Sequence, residues 1–522
     1  MGKLWFHATF YTMNKENEYV EALYTEGGLI RDTGTEAELV EKYSEKIEET
    51  IDLDGAFAYP GFVDSHLHMI GHGERLMRLD LSHVSSSVEM LQLLLEQKEK
   101  ADQWIIGEGW NENNFIDRKI FHRMELDEIS DDKPMFLTRI CRHAALVNSK
   151  ALEMAGITKD TINPEGGVIV KDAEGEPTGL LLDEAVELVK EVMPGVSDRY
   201  IKKALMVSIK DLYKKGLVGG HTEDLAYYRD PLETIKAFDE LVEEGELPLR
   251  AHLLVNHKAF EKVPYEQLHR SGAFVETGAM KIFADGALGG RTALLSEPYA
   301  DDPSTSGVAI HNQMQLDQLV VDARNKGMDV AIHVIGDKAL EMALTAIERA
   351  PRAPGRDRLI HVQVARKDLR ERMKKLPVIL DIQPRFVASD FPWVQERLGL
   401  SRMEESFAWK TLLDEGLICA GGSDAPIEPV DPLLGIHAAV TRKKPTENHQ
   451  GYQPEQKLSM YEAIQLFTTA SAYAIQKEHV AGKLSKGFYA DMTILSNDLF
   501  KMEPDQILDT EILGVVIAEQ RK

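Results

Sequence analysis

The second half of the chain repeats a pattern of short apolar runs separated by amphipathic stretches. Between two of these runs, Leu316, Leu319, Val320 and Ala323 keep helical spacing before Gly327. Asp337 is placed to cap a helix that carries Leu340, Leu344 and Ile347 on one face. The apolar runs predict seven strands, at Leu217–His221, Leu249–Val255, Met280–Ala284, Val330–Val334, Leu359–Val364, Val378–Ile382 and Leu417–Ala420. Strands that alternate with helices are typical of a parallel sheet.

An eighth strand precedes these seven and ends in two histidines, within Pro60–Met69. Side chains alternate faces along a strand, so His66 and His68 point the same way. Eight strand and helix units favour a closed (β/α)8 barrel of the TIM type. An open doubly wound sheet is the alternative, but its glycine-rich dinucleotide turn does not follow the first strand.

The remaining segments predict an insertion and a second domain. The barrel spans 60–479 and includes an insertion of about 80–195 after its first strand, which we expect to cover the barrel mouth as a lid. Within the insertion we predict a helix at Val88–Lys98 and strands at Trp104–Gly109 and Met135–Ile140. Residues 1–59 and 480–522 alternate short strands with turns and predict a composite β-domain built from both termini. Ser459 and Glu462 form a capping-box pattern, which predicts a helix from there through Ile475.

Composition and charge narrow the function classes. The chain has 522 residues and a net charge of −26, which disfavours binding to nucleic acid or to anionic membranes. No apolar run approaches the length of a membrane span. The start lacks the apolar core of a signal peptide, and the two cysteines, Cys141 and Cys419, suit a reducing compartment. We therefore expect a cytoplasmic protein.

Candidate metal ligands follow the ends of several predicted strands. His333 and His361 end the fifth and sixth barrel strands, and Asp424 follows the eighth. Active sites of such barrels lie at the C-terminal ends of the strands, where these residues would meet His66 and His68. A single buried histidine is usually structural, but imidazoles and a carboxylate that converge are typical ligands of a divalent metal.

These motifs resemble the amidohydrolase superfamily, and in particular its branch of N-substituted formamide deformylases and predicted metal-dependent hydrolases. The resemblance spans nearly the whole chain and rests on five segments, Gly61–His68, Phe283–Thr292, His333–Asp337, Asp381–Pro384 and Gly422–Pro426. One departure is that Arg385 and Phe386 stand where the branch usually has a histidine.

The resemblance implies a hydrolase of non-peptide C–N bonds that binds one or two zinc ions. It assigns His66, His68, Lys281, His333, His361 and Asp424 as metal ligands, with Asp424 also as general base and acid. A neutral Lys281 could react with carbon dioxide to form a carbamate that bridges two metals. Asp285 offers the alternative, because it shares a strand face with Lys281 and could pair with its ammonium group.

Residues that bind the substrate are less clearly marked. His143 in the insertion and Arg291 after the fourth strand are candidates, although Arg291 could instead pair with Glu297 or Asp301. His221 ends the second strand, where the resemblance assigns no ligand. Trp104, Trp110 and Phe115 either line a pocket or belong to a core. We expect a small-molecule substrate, and a homo-oligomer is compatible with the sequence.

Other functions stay open on the same fold. A deaminase or a hydrolase of cyclic imides or lactones would use the same scaffold, since fold alone does not decide function. A non-catalytic assembly protein is the third alternative, but such a protein would not need to retain every ligand position.

Overall fold

A computed structural model of the chain describes residues 2–101, 103–139, 143–164, 166–193, 197–228, 230–245 and 247–522. They form two compact units, one of Met1–His72 with Ile201–Lys522 and one of Gly73–Tyr200. None of the helices in the described ranges is both long and apolar enough to cross a membrane.

Eight parallel strands confirm the predicted barrel. Each pairs with its neighbour in chain order. We number them barrel strands 1 to 8: Phe62–Leu67, Leu217–Thr222, Arg250–Asn256, Val275–Phe283, Val330–Val334, Asp357–His361, Val378–Ile382 and Cys419–Gly421.

The barrel closes between strands 8 and 1 through the loop after strand 8. The amide of Asp424 donates to the carbonyl of His66 at 2.7 Å, and the amide of His68 donates to the carbonyl of Ala425 at 2.8 Å. The buried carboxylate of Asp64 accepts from the amide of Ser423 at 3.1 Å. These contacts join the two strand ends that carry predicted metal ligands.

Helices surround the barrel. The helix Asp337–Arg349 buries Leu340, Leu344 and Ile347, as its spacing predicts. Helices in this part of the chain are Met69–Met77, Asp198–Lys214, Pro231–Phe238, Tyr265–Leu268, Gln313–Asn325, Asp337–Arg349, Lys367–Met373, Arg385–Asp390, Val394–Leu398, Trp409–Asp414, Pro432–Thr441, Met460–Leu466 and Thr469–Ala474.

Two predictions about helix ends were wrong. Asp337 is the first helical residue, and Gly336 is the cap. The Asp337 carboxylate instead accepts from the amide of Ser296 at 2.9 Å and from Arg366 at 2.7 Å. The helix that begins after Ser459 ends at Leu466 and not at Ile475. Beyond this point other groups bond the main-chain carbonyls: the Thr468 hydroxyl donates to the Ile464 carbonyl, and the amide of Val63 donates to the Phe467 carbonyl.

A sheet from both chain termini packs beside the barrel within the same unit. Its long central strand, Ile47–Pro60, pairs with Gly2–Tyr11 on one side and with Met492–Leu495 on the other. Val515 and Ile517 pack against Val218 of barrel strand 2. The other strands are Tyr19–Val20, Ala22–Glu26, Leu29–Gly34, Ile512–Ile517 and Gln520–Arg521, and the helix is Glu36–Tyr43.

The unit Gly73–Tyr200 has its own six-stranded sheet and hydrophobic cores. Trp104, Trp110 and Phe115 lie in these cores. Its strands are Leu79–Asp80, Ile105–Trp110, Met135–Arg139, Ala144–Val147, Gly167–Lys171 and Pro177–Asp183, and its helices are Ser87–Lys100, Arg123–Asp127, Ser149–Met154 and Glu187–Lys190. Ile140, Cys141 and Arg142 lie outside the described residues. The role of the unit Gly73–Tyr200 as a lid stays a prediction.

Candidate metal centre

The structure brings the six predicted ligands together at the C-terminal ends of the barrel strands. His66 lies near the end of strand 1, and His68 directly follows this strand. Lys281 lies on strand 4, and Asp424 follows strand 8. His333 and His361 come from strands 5 and 6. Most of this group is buried: His66 is 1% exposed, Lys281 0% and His361 2%.

The donor atoms of this group suit a divalent cation. His66, His361 and Asp424 each offer one ligand atom, all within 4.8 Å of one another. Asp424 Oδ1 lies 3.3 Å from His66 Nε2 and 3.4 Å from His68 Nε2. Imidazole nitrogens and a carboxylate oxygen are the usual ligands of zinc and similar metals, so the residues present fit a metal.

The backbone is strained at two of the predicted ligands, Asp424 and His361. Asp424 has a φ of 58°, and His361 and Val362 have φ values of 77° and 45°. The left-handed region is costly for a β-branched residue such as Val362. Strain of this kind persists where the surrounding structure imposes it, and it clusters at functional sites.

Electrostatics keep three of the imidazoles neutral, as metal ligands must be. Burial, together with the nearby Lys281, lowers the pKa of His66 to about 3 and the pKa of His333 to about 4. Burial and His333 hold the pKa of His361 well below its usual value.

His68 and Asp424 form a coupled pair. Burial alone would lower the pKa of His68, but its hydrogen bond to Asp424 and the charge of Asp424 raise it to about 9. Burial opposes ionisation of Asp424 as well, yet hydrogen bonds from His66 and His68 keep its pKa well below the usual range. Since a ligand must be deprotonated, a bound cation would displace the proton of His68.

Lys281 lies directly beside this group. Its Nζ is 3.1 Å from His66 Nε2 and 4.5 Å from the centre of the Phe283 ring. Burial lowers the pKa of Lys281 to about 8, although Glu223 and Asp424 act in the opposite direction. The ion pairs of the described residues do not include one between Lys281 and Asp285. Asp285 instead accepts from three main-chain amides, those of Leu294, Ile335 and Gly336.

The groups that orient the histidines were not among the residues predicted from the sequence. The Nδ1 of His68 is 2.5 Å from the carbonyl oxygen of Glu223, and the Nδ1 of His361 is 2.7 Å from Gln383 Oε1. Partners of this kind fix which nitrogen faces a metal. The buried carboxylate of Glu223 is itself held by Asn256 at 3.1 Å and Tyr227 at 2.7 Å. Glu223 and Gln383 directly follow the ends of strands 2 and 7, a position that could have identified them.

The predicted substrate residues each have an aspartate partner. The guanidinium of Arg291 forms two hydrogen bonds to Asp301, at 3.1 and 2.9 Å. His143 is exposed, belongs to the unit Gly73–Tyr200, and lies 3.2 Å from Asp183. Their roles in binding stay predictions. His257 follows strand 3, and its ring lies 5.1 Å from that of His311; each has a buried nitrogen without a partner among the described residues.

Comparison with known proteins places the chain in a class of hydrolases. The model of the amidohydrolase family matches residues 49–521. The chain therefore belongs to the amidohydrolase family. It is 52% identical to the amidohydrolase YtcJ of Bacillus subtilis (strain 168), over 100% of this chain and 99% of that protein.

Two further relatives agree with this assignment. An N-substituted formamide deformylase of Arthrobacter pascens is 26% identical over 98% of this chain and 96% of that protein. The crystal structure of an uncharacterized metal-dependent hydrolase from Pyrococcus horikoshii OT3 is 30% identical, with a TM-score of 0.81 over 97% of this chain and 99% of that one. Family and structure together support hydrolase activity and the resemblance seen in the sequence.

Proposed function

We propose that the protein hydrolyses a C–N amide bond in a small molecule with the help of one or two divalent metal ions, zinc being the favoured metal. The observation that carries this proposal is the convergence of four histidines, Lys281 and Asp424 at one end of the barrel. The ligands would be His66, His68, His333, His361 and Asp424, with Lys281 beside them. The family and the metal-dependent hydrolase among its relatives support it.

The metal would supply an acidified water and would polarise the substrate carbonyl. The carboxylate of Asp424 takes the proton from the attacking water, whose oxygen forms a new bond to the acyl carbon. The same carboxylate then gives that proton to the leaving nitrogen as the C–N bond breaks. Glu223 and Gln383 keep His68 and His361 oriented throughout. The products are a carboxylic acid and an amine.

We also propose that Lys281 carries a carbamate. Its buried amine has a lowered pKa and lies 3.1 Å from a ligand nitrogen, where an ammonium group would repel a cation. The amine would add to carbon dioxide and lose one proton, giving an anionic group with two oxygens. We expect Lys281→Ala to lower the metal content from two ions per chain to one or none, with partial rescue by a short-chain carboxylate. One metal ion per chain in both proteins would contradict the carbamate.

The direct test is a hydrolysis screen of N-formyl, N-acyl and cyclic amides with zinc-loaded protein. The relative named as an N-substituted formamide deformylase makes N-substituted formamides the first compounds to assay. We expect amine release that depends on the metal and is lost in a chelator. Turnover only of cyclic imides, lactones or aminated bases would assign one of the alternative reactions. Bound zinc without turnover of any compound would favour a non-catalytic protein.

A further inference from the structure

The barrel interior directly below the predicted ligands is polar, although bulky apolar side chains usually fill this region. His221 and Arg358 are each 1% exposed, and Asp381 is 0% exposed. Arg358, three residues before His361 on strand 6, donates to both oxygens of Asp381 at 2.8 and 2.9 Å. Its Nη2 also reaches the carbonyl of Ser65 at 2.6 Å. Arg358 therefore crosses the barrel beneath His66.

The strand register sets three histidines side by side in this layer. Gly220 pairs with Asp64 and Thr222 with Leu67, so His221 stands opposite both Ser65 and His66. On its other side His221 pairs with His252, and the two rings lie 5.3 Å apart. His252 is held by Glu276, whose Oε1 is 3.1 Å from Nδ1. The row His66, His221 and His252 thus runs across barrel strands 1, 2 and 3.

Several polar atoms of this layer are buried without a protein partner. They are Ser65 Oγ, His66 Nδ1, both ring nitrogens of His221 and Arg358 Nη1, and none has a hydrogen-bond partner among the described residues. The main chain of Ser65 also lies close to the His221 ring. Native proteins rarely leave such atoms unsatisfied, so an occupant other than protein is expected.

The chemistry of these atoms selects the occupant. A neutral imidazole offers one donor and one acceptor, and the buried ring of His221 has both nitrogens unpartnered. Ser65 also both donates and accepts, whereas Arg358 only donates. An anion would satisfy only the donors, and a cation would be repelled by Arg358. Water satisfies both kinds of group.

The space and the number of atoms agree with water. A cavity of about 60 Å³ is lined by His221 and His252, two of the three histidines of this row. Five unpartnered atoms, at about three hydrogen bonds per buried water, correspond to roughly two water molecules.

We propose that ordered water in this layer links His221 to His66 Nδ1 and that His221 is a positioning residue for His66. The Nε2 of His66 faces Asp424 and Lys281, so its Nδ1 points away from the metal centre and needs an acceptor. Metal-binding histidines usually donate this second hydrogen to a carboxylate, a carbonyl or water. This inference rests on the metal site proposed above. It adds to that site the water molecule that would accept the hydrogen of His66 Nδ1.

The test compares zinc binding by three metal-free variants. His221→Leu removes both polar atoms, and we expect it to weaken zinc binding about 10- to 100-fold. His221→Gln keeps a donor and an acceptor, and we expect it to bind within about threefold of the original protein. Val218→Ala, on the same strand, is the control for a packing defect and should leave zinc binding unchanged. Calorimetric titration measures the affinity independently of any enzymatic turnover, so an unknown substrate does not affect the outcome.

A crystal structure of the unmodified protein gives a second measurement that needs no variant. We expect density for water within hydrogen-bond distance of both His66 Nδ1 and a nitrogen of His221. The proposal is overturned if that position holds no water, or if folded His221→Leu binds zinc as tightly as the original protein.

Discussion

Asp424 is the residue on which the proposed chemistry depends most directly. Its carboxylate contacts His66 and His68, and the mechanism assigns it both proton transfers. We expect Asp424→Asn to lower kcat by about 10²- to 10⁴-fold with little change in KM, because the amide can occupy the site but cannot take the proton. Kinetics with the best substrate of the screen, together with the zinc content of the variant, provide the measurement. Near-normal turnover with zinc bound would move the proton transfer to another group.

The carboxyl group of Asp390 should make the stability of the protein depend on pH. Burial raises the pKa of its carboxyl group to about 7, and Gln363 donates to it at 3.2 Å. Between about pH 4 and pH 7 the folded protein retains a proton that an unfolded aspartate, with a pKa near 3.9, has released. Stability therefore falls as the pH rises through this range and levels off above it.

Asp390→Asn cannot ionise and should remove this penalty. Relative to the original protein, we expect the variant to gain stability between pH 5 and pH 8. The gain is at most about 3 kcal/mol, because about two pKa units separate pH 5 from the folded pKa of about 7, at ~1.4 kcal/mol per unit. Thermal unfolding of both proteins at the two pH values is the measurement. An equal difference in Tm at pH 5 and pH 8 would show that Asp390 titrates normally.

At the scale of elements, the contact between barrel strands 1 and 8 shapes the metal centre. Gly422 lies so close to strand 1 that a Cβ atom there would stand 2.6 Å from the His66 amide nitrogen and 3.0 Å from its carbonyl oxygen. We expect Gly422→Ala to push the loop carrying Asp424 away from His66 and to weaken zinc binding at least tenfold.

Zinc titration of the metal-free variant checks this expectation. Gly290→Ala is the matched control, because a Cβ there would approach only the Thr292 side chain, at an ordinary 3.6 Å. If Gly422→Ala binds zinc as tightly as that control, the loop after strand 8 can shift to accept a Cβ atom without moving Asp424 away from His66.

At the scale of the whole molecule, the terminal sheet and the barrel share apolar contacts. Ile517 is fully buried with Val515 against Val218 of barrel strand 2. We expect Ile517→Ala to reduce the free energy of unfolding by about 2 to 5 kcal/mol and to lower the stability of sheet and barrel together. Hydrogen exchange in denaturant follows the two parts separately.

Leu513→Ala provides the control on the same strand. Leu513 is 41% exposed, so its truncation should change stability by no more than about 0.5 kcal/mol. Loss of protection in the terminal strands alone, with the barrel unaffected, would mean that the shared contacts do not couple the two parts.

The sequence by itself determined the barrel and the place of its candidate ligands. Most barrel strands are short and largely apolar, and such local patterns are readable without tertiary contacts. Because parallel strands end at one edge of a barrel, His333, His361 and Asp424 were expected to meet His66 and His68, and the structure brings them together. That expectation needed only the position of each residue on its strand.

Only the tertiary structure decided how the surrounding polar groups are paired. Asp285 could have bonded Lys281 of strand 4, but main-chain amides in the loops that follow strands 4 and 5 satisfy its carboxylate. The carboxylate of Asp337 likewise bonds Ser296 and Arg366 instead of capping its helix. Glu223 reaches His68 across 155 positions of the chain, and Arg358 reaches Ser65 across 293. Side-chain pairings over such separations depend on which strands become neighbours in the fold, and local sequence patterns do not reveal them.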